Sequence, residues 1–250
     1  MLFRSLEDFR NAFTDKGCAA NSIRMEIKTL RAVFAQAVRE GLIATNPAAA
    51  VELDEAAGAE KEAFTEGEII AMLRVAPPDW KTAILLAGYA GLRLSDAVNL
   101  GWQAVNFDAG VLKFKPQKTA KKGRVLTVPM HPTLAEHLEA IAGDSVGALC
   151  PKLTGRPTGG KTGLSRQFIN VMEAAGIDRG ADKAEERQAR HVSAKSFHSL
   201  RHHFNTALLS AGVDEKTRMD LSGHTTASIN RKYSHAKVED LRKAVHKIGQ

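Results

Sequence analysis

Cysteine is nearly absent: Cys18 and Cys150 are the only two in 250 residues, and they share neither CxxC spacing nor a common segment. That excludes a disulfide-stapled secreted domain, and both are read as unremarkable thiols of a reducing compartment. Long apolar runs are missing too. No stretch approaches the ~20 apolar residues needed to cross a bilayer, and the opening MLFRSLEDFR has no apolar signal-peptide core. A soluble cytoplasmic protein without a membrane partner is expected. There is no P-loop, no persuasive carboxylate trio for a two-metal site and no internal repeat. Tyrosine is scarce, with only Tyr89 and Tyr233.

What is present supports a folded, basic chain. Hydrophobic residues make up 44% of it, enough for a core. The net charge of +7 and pI near 9.5 suit a polyanionic partner, although ribosomal and membrane-surface proteins share that balance. Of 35 Lys and Arg and 28 Asp and Glu, residues 1–60 hold seven and nine, which leaves 28 against 19 in the remainder. The positive surplus therefore sits in the later part.

From Ser5 to Leu42 the pattern is helical, with Ile23, Ile27, Leu30, Phe34 and Val38 forming one stripe. Asn46-Pro47 ends that unit. The Ala- and Glu-rich stretch that follows has no stripe of its own and reads as a linker, set at 56–63 between domains at 1–55 and 64–250. Thr65 and Glu68 make a capping box ahead of Ile69 and Leu73. A mostly apolar helix runs from Asp79 to Tyr89 and stops at Gly91. Short alternating segments at 105–107, 111–114 and 124–128 predict a small antiparallel sheet, its last two strands joined by a Lys-rich turn. Helices are expected from Pro132 to Gly143, at 164–175, 196–210 and 214–221, and again at 238–246. The fold class is thus mainly α with a small antiparallel β-sheet. The charged stretch 177–195 reads as an exposed insertion.

Two segments carry the chemistry. In SFHSLRHHFNTALLSAG, Phe197, Leu200, Phe204 and Leu208 form an apolar stripe while His198, Arg201 and His202 share the adjoining face. A planar guanidinium beside a histidine can clamp two phosphate oxygens; taken alone, the segment reads at least as readily as a solvated basic face. In LSGHTTASINRKYSH, His224 in a Gly-His turn precedes Tyr233 by nine residues. Tyr89 lies in an apolar helix where packing explains it, whereas Tyr233 sits among Arg231, Lys232 and His235. Those cations suit a phenol that must approach phosphate and lose its proton.

HSLRHH and SGHTTASINRKY resemble the last two boxes of the tyrosine recombinases, the phage-integrase family, and GLRLSDAVNL resembles the earlier box that bears their first arginine. The resemblance covers roughly residues 64–236. It implies a catalytic integrase domain at 64–250 and a shortened helical core-binding domain ahead of it, since the family's bundle of about four helices exceeds what fewer than 60 residues allow. It also implies that Arg93 and Arg201 hold the scissile phosphate, that His198 and His224 hydrogen-bond to it, and that Tyr233 is the nucleophile. The hairpin lysine of the family corresponds to Lys118, with Lys121 and Lys122 in the same turn as rivals. Asp96 and His202 would support these groups.

By the same resemblance the chain is a site-specific recombinase that cuts and rejoins DNA through a 3′-phosphotyrosyl bond, with neither metal nor other cofactor. Lys113, Lys115, Lys121, Lys122, Arg124, Arg231 and Lys232 are the expected DNA contacts; residues 111–124 hold six basic side chains and no acidic one. Self-association as a tetramer on double-stranded DNA, near the nucleoid, is implied, with the tail after Tyr233 packing in cis or on a neighbour. Alternatives remain open: a type IB topoisomerase-like enzyme, or an inactive DNA-binding relative in which 196–221 is a helix-turn-helix. A zinc site from His191, His198, His202 and His203 is conceivable, but no cysteine pair accompanies it.

Overall fold

The computed structural model describes residues 5–18, 20–53, 62–117, 123, 125–143, 146–178, 194–222, 242, 245 and 246. The chain divides into two compact units, one of residues 1–60 with 181–193 and the other of 61–180 with 194–250. The expected linker falls largely outside the described residues, as do 179–193 of the charged stretch and most of the helix expected at 238–246.

The first unit holds α1 (Leu6–Asp15) and α2 (Ala20–Arg39). Ser5 caps α1 by accepting the Asp8 N–H at 3.0 Å. The stripe expected on α2 faces inward at Ile23 and Ile27, which pack with Val51 against Leu6, Phe9, Phe13 and Leu30. The Asn46-Pro47 turn is tied back to α2: Asn46 Nδ2 donates to the Arg31 carbonyl at 2.9 Å, and Arg31 Nε donates to the Ala48 carbonyl at 2.9 Å.

The second unit is a helical body with a small sheet. It comprises α3 (Glu66–Val75), α4 (Pro78–Ala90), α5 (Leu94–Val98), β1 (Val105–Asn106), β2 (Val111–Phe114), β3 (Leu126–Pro129), α6 (Pro132–Ala140), α7 (Leu164–Ala174), α8 (Phe197–Ser210) and α9 (Glu215–Ser222). The sheet is antiparallel in the order β1-β2-β3, and the chain is mainly α with this sheet, as expected. The last strand is displaced from the expected 124–128 toward Pro129. Proline brings no N–H, but β3 lies at the sheet edge, where that loss is tolerated.

The Thr65/Glu68 capping box forms, with Glu68 N–H reaching Thr65 Oγ1 at 3.2 Å and Thr65 N–H reaching Glu68 Oε2 at 2.9 Å. Helix α4 is buried along nearly its whole length and packs most extensively on α8. Its last turn ends at Gly91, which has φ 67°. A Cβ there would stand 2.6 Å from the ring of Phe204, so both the left-handed backbone and the close approach of α8 require glycine. Near the other end of the chain, Val245 is fully buried in the same core and Arg242 donates to the Ala109 carbonyl at 2.6 Å. Among the described residues no helix is long and apolar enough to cross a membrane.

Candidate functional site

The turn after Gly91 sets the first arginine. Arg93 is the N-cap residue of α5, in extended backbone where the chain changes direction, and its side chain is largely covered, 21% exposed. Asp96 lies in the first turn of the same helix and is 6% exposed. Its Oδ2 stands 4.0 Å from Arg93 Nη1, and its Oδ1 accepts the Gln117 N–H at 2.8 Å. A buried carboxylate needs such partners, because desolvation of an unpaired charge is costly.

Arg201 projects from α8 and is 3% exposed. That corrects the reading of its segment as a solvated basic face: the helix lies so close against α4 that the guanidinium is enclosed. Nη1 donates to the Gly91 carbonyl and Nη2 to the Ser222 carbonyl. The Nε–H has no hydrogen-bond acceptor among the described residues. Burial, with the nearby positive charge of Arg93, lowers the Arg201 pKa to about 10 against a smaller opposing pull from Asp96. It remains cationic at neutral pH. The two arginines therefore share one electrostatic environment although 108 positions separate them, and the fork of Arg201 joins the segment before Arg93 to the segment before His224.

His198, one turn earlier on α8, is exposed, and its ring meets that of His202 edge to face at 4.9 Å. Lys113 and Lys115 are exposed on and just beyond β2. Together with Asp96, Asn99, Gln103 and Gln117 they line a groove of about 490 Å³. The structure thus brings together Arg93, Asp96 and Arg201, with His198 and His202 on the same helix as Arg201. Lys118, Lys121, Lys122, Arg124, His224, Arg231, Lys232 and Tyr233 lie outside the described residues.

The sequence concealed a second polar cluster. Tyr89 is buried, donates its hydroxyl to Glu66 Oε1 and stacks on His131 with ring centres 4.6 Å apart. His203, also buried, places Nδ1 2.8 Å from the Phe64 carbonyl and Nε2 3.3 Å from Glu66 Oε2. Burial and then Glu66 push the Tyr89 phenol above its ordinary value of 10. This tyrosine is a packing residue, as its apolar helix suggested, and a poor nucleophile. Glu66 belongs to a helix-start sequence that reads only as a capping segment, so nothing local signalled the cluster. Among the described residues no group of three His, Cys, Asp or Glu side chains is disposed to hold a metal ion.

The chain matches the profile of the phage integrase family over residues 64–240, and that of the phage integrase SAM-like domain over residues 3–53. It is 30% identical to the tyrosine recombinase XerA of Thermococcus kodakarensis over 237 residues, covering 92% of this chain and 76% of that protein. With the tyrosine recombinase XerC of Xylella fastidiosa the figures are 27% over 244 residues, 95% and 78%. Among solved structures, a lambda integrase dimer bound to a COC′ core site superposes with TM-score 0.61 at 20% identity, covering 91% of this chain and 80% of that one. The same integrase as a tetramer on a Holliday junction gives 0.61 at 20%, covering 92% and 65%. The profile spans every box that drew attention in the sequence, from the Gly91 turn through Tyr233, and on that match the chain belongs to the phage integrase family.

Proposed function

We propose that this chain is a site-specific DNA recombinase that cuts and rejoins strands through a covalent bond to Tyr233. The observation that carries the reading is the placing of two arginines on one turn: Arg201, 3% exposed, donates to the carbonyl of Gly91, two residues before Arg93, whose Nη1 stands 4.0 Å from Asp96 Oδ2. Preorganised cations are what a phosphate acquiring negative charge at a five-coordinate transition state requires. In this reading Arg93 and Arg201 hold the non-bridging oxygens, and His198 and His224 hydrogen-bond to the same phosphate. Asp96 orients Arg93, and His202 steadies His198 by the ring contact between them.

The step is a transesterification. The Tyr233 oxygen forms a bond to phosphorus as the bond to the 5′ oxygen breaks. The tyrosine proton passes to a base such as His198, and the departing oxygen takes a proton from Lys118. A 5′ hydroxyl from another strand then reverses the step, so the bond energy is conserved and no nucleotide is consumed. Exposed Lys113 and Lys115 flank the groove beside Asp96, which supports their contact with DNA backbone, and Lys121, Lys122, Arg124, Arg231 and Lys232 extend that assignment. Assembly as a tetramer on double-stranded DNA is proposed by analogy with the lambda integrase dimer and tetramer on DNA, and action in the cytoplasm at the nucleoid by analogy with the XerC recombinase. The matches are to recombinases and integrases, which does not favour a topoisomerase.

The test is Tyr233→Phe. Incubated with duplex DNA selected by this chain from a random-sequence pool, the wild type forms a covalent protein–DNA adduct resistant to denaturant. The variant binds the same DNA and forms none. An undiminished adduct from Tyr233→Phe removes the assignment.

A further inference from the structure

We propose that His203 is a positioning residue for His198: tied through Glu66 to Tyr89, it fixes the roll of α8 and so the place at which His198 meets the scissile phosphate. The inference rests on the strand-transfer reading above and concerns three residues to which that reading gives no part.

Helix α8 carries both His198 and Arg201, and its apolar stripe alone does not fix their aim. Phe197, Leu200, Phe204 and Leu208 are buried in the core, but apolar contact is non-directional and leaves a helix able to turn slightly about its axis. A roll of about 10° carries a side-chain tip, about 5–6 Å from the axis, through roughly 1 Å. A misplacement of that size can cost about 10²-fold in rate. Directional contacts on two sides of the helix prevent it.

Arg201 supplies the first side, through the carbonyls of Gly91 and Ser222. His203 follows by two residues, or roughly 200° of helical rotation, so it leaves α8 on the opposite side. Both residues are buried. The Nδ1 atom of His203 stands 2.8 Å from the Phe64 carbonyl. A carbonyl only accepts, so Nδ1 carries the hydrogen. The Nε2 atom lies 3.3 Å from Glu66 Oε2, both atoms being buried, in a charge contact rather than an aligned hydrogen bond. That approach is attractive when a proton lies between the two atoms, whichever of them holds it.

Glu66 is itself held, because its other oxygen accepts the Tyr89 hydroxyl. Tyr89 is stacked on His131, with ring centres 4.6 Å apart, and sits on α4 two residues before Gly91. The last turn of α4 thus holds α8 from both sides: Gly91 takes Arg201 directly, and Tyr89 takes His203 through Glu66. Exposed His198 lies five residues before His203, about 7.5 Å along the axis, and inherits the roll that these contacts set.

The experiment separates aim from stability. Adduct formation on the duplex selected by this chain is followed in single turnover with protein in excess, so that the rate constant, the fraction of chains that react and the DNA affinity are read separately. An asparagine amide stands about where the Nδ1 of histidine does, so His203→Asn keeps the Phe64 contact and loses Glu66. It is expected to lower the rate constant about tenfold, with affinity and reacting fraction near those of the wild type, and Glu66→Ala is expected to do the same. Glu66→Gln is the rescue. Its side-chain carbonyl still accepts from Tyr89, its amide donates to a neutral Nε2, and the rate constant stays within about twofold of the wild type. Tyr89→Phe keeps the stack on His131 and removes the hydroxyl, and its expected loss of about threefold carries the test if the larger changes fail to fold. In a His198→Ala background, His203→Asn is expected to change nothing further, since the group it aims is gone. A rate constant that holds in His203→Asn, Glu66→Ala and Tyr89→Phe while only the reacting fraction or the unfolding midpoint falls, as a packing role would give, overturns the proposal. So does a loss of rate that recurs in full on His198→Ala. A wild-type chain that forms no adduct overturns the strand-transfer reading and this proposal with it, a result distinct from either of those.

Discussion

The two units are built to different standards. In the first, Ile23, Ile27 and Val51 are the buried members of a small core, and Met25 and Val33 stay exposed on the same helix. Polar ties from Arg31 and Asn46 do much of the fastening. In the second, α4 is buried almost throughout and sits in a continuous core that takes in α3, α6, α7, α8 and the sheet. A short segment cannot bury enough apolar surface to offset the entropy of ordering it, whereas a long one can. The difference teaches where rigidity is invested. The arginines and Asp96 stand on the well-packed unit, where dense neighbours limit how far a side chain can move.

The largest effect is expected at the turn that ends α4 in the well-packed unit. Gly91→Ala forces a left-handed backbone on alanine and drives its Cβ into Phe204, at a cost of about 3–5 kcal/mol from strain and overpacking together. Thermal unfolding of the second unit should fall accordingly, with adduct formation lost; an unchanged midpoint would show that the α4–α8 contact is looser than its geometry. Next comes Ile27→Ala in the small unit, which should cost about 2–3 kcal/mol. That is less in energy but a larger share of what the unit has. Hydrogen exchange should show α2 losing protection while α4 keeps its own, and parallel loss in both helices would erase the distinction between the units.

The smallest effect is a pH dependence at the start of the second unit. Burial by itself would raise the pKa of Glu68, but hydrogen bonds from Lys195 and Thr65 outweigh it and hold the carboxyl below its ordinary value of 4.5. Lys195 Nζ lies 2.6 Å from Glu68 Oε1. A carboxylate with a lowered folded-state pKa contributes stability that is fully present above the ordinary value and is lost as pH falls through the lower one. The pair is partly exposed, so its worth is on the order of 0.5 kcal/mol. Lys195→Met should flatten that part of the acid-unfolding profile measured between pH 5 and pH 3, and a profile identical to that of the wild type would show that the pair contributes nothing.

Much of this was legible in the chain itself. The Thr65/Glu68 box, the stop at Gly91 and the stripe through Phe204 and Leu208 are local signals, written in residues three or four apart, and each forms as the pattern indicates. The boxes that resemble the family's were legible for the same reason, since His198 and Arg201 are one turn apart and His224 precedes Tyr233 by nine residues. What escaped were partnerships across long intervals: Arg201 with the carbonyls of Gly91 and Ser222, Asp96 with Gln117, and Tyr89 with Glu66. Backbone carbonyls and amides carry no residue identity, so no pattern of side chains announces them.

By itself, then, the sequence determined which elements form, which faces they bury and which polar residues are candidates for phosphate chemistry, because periodicity, capping and charge are properties of neighbouring residues. The tertiary structure decided that Arg201 is buried rather than solvated, that it shares its surroundings with Arg93, and that Asp96 serves two segments at once. Those outcomes depend on how close α8 comes to α4 and on where the basic turn leaves the sheet, and packing of the whole second unit sets both.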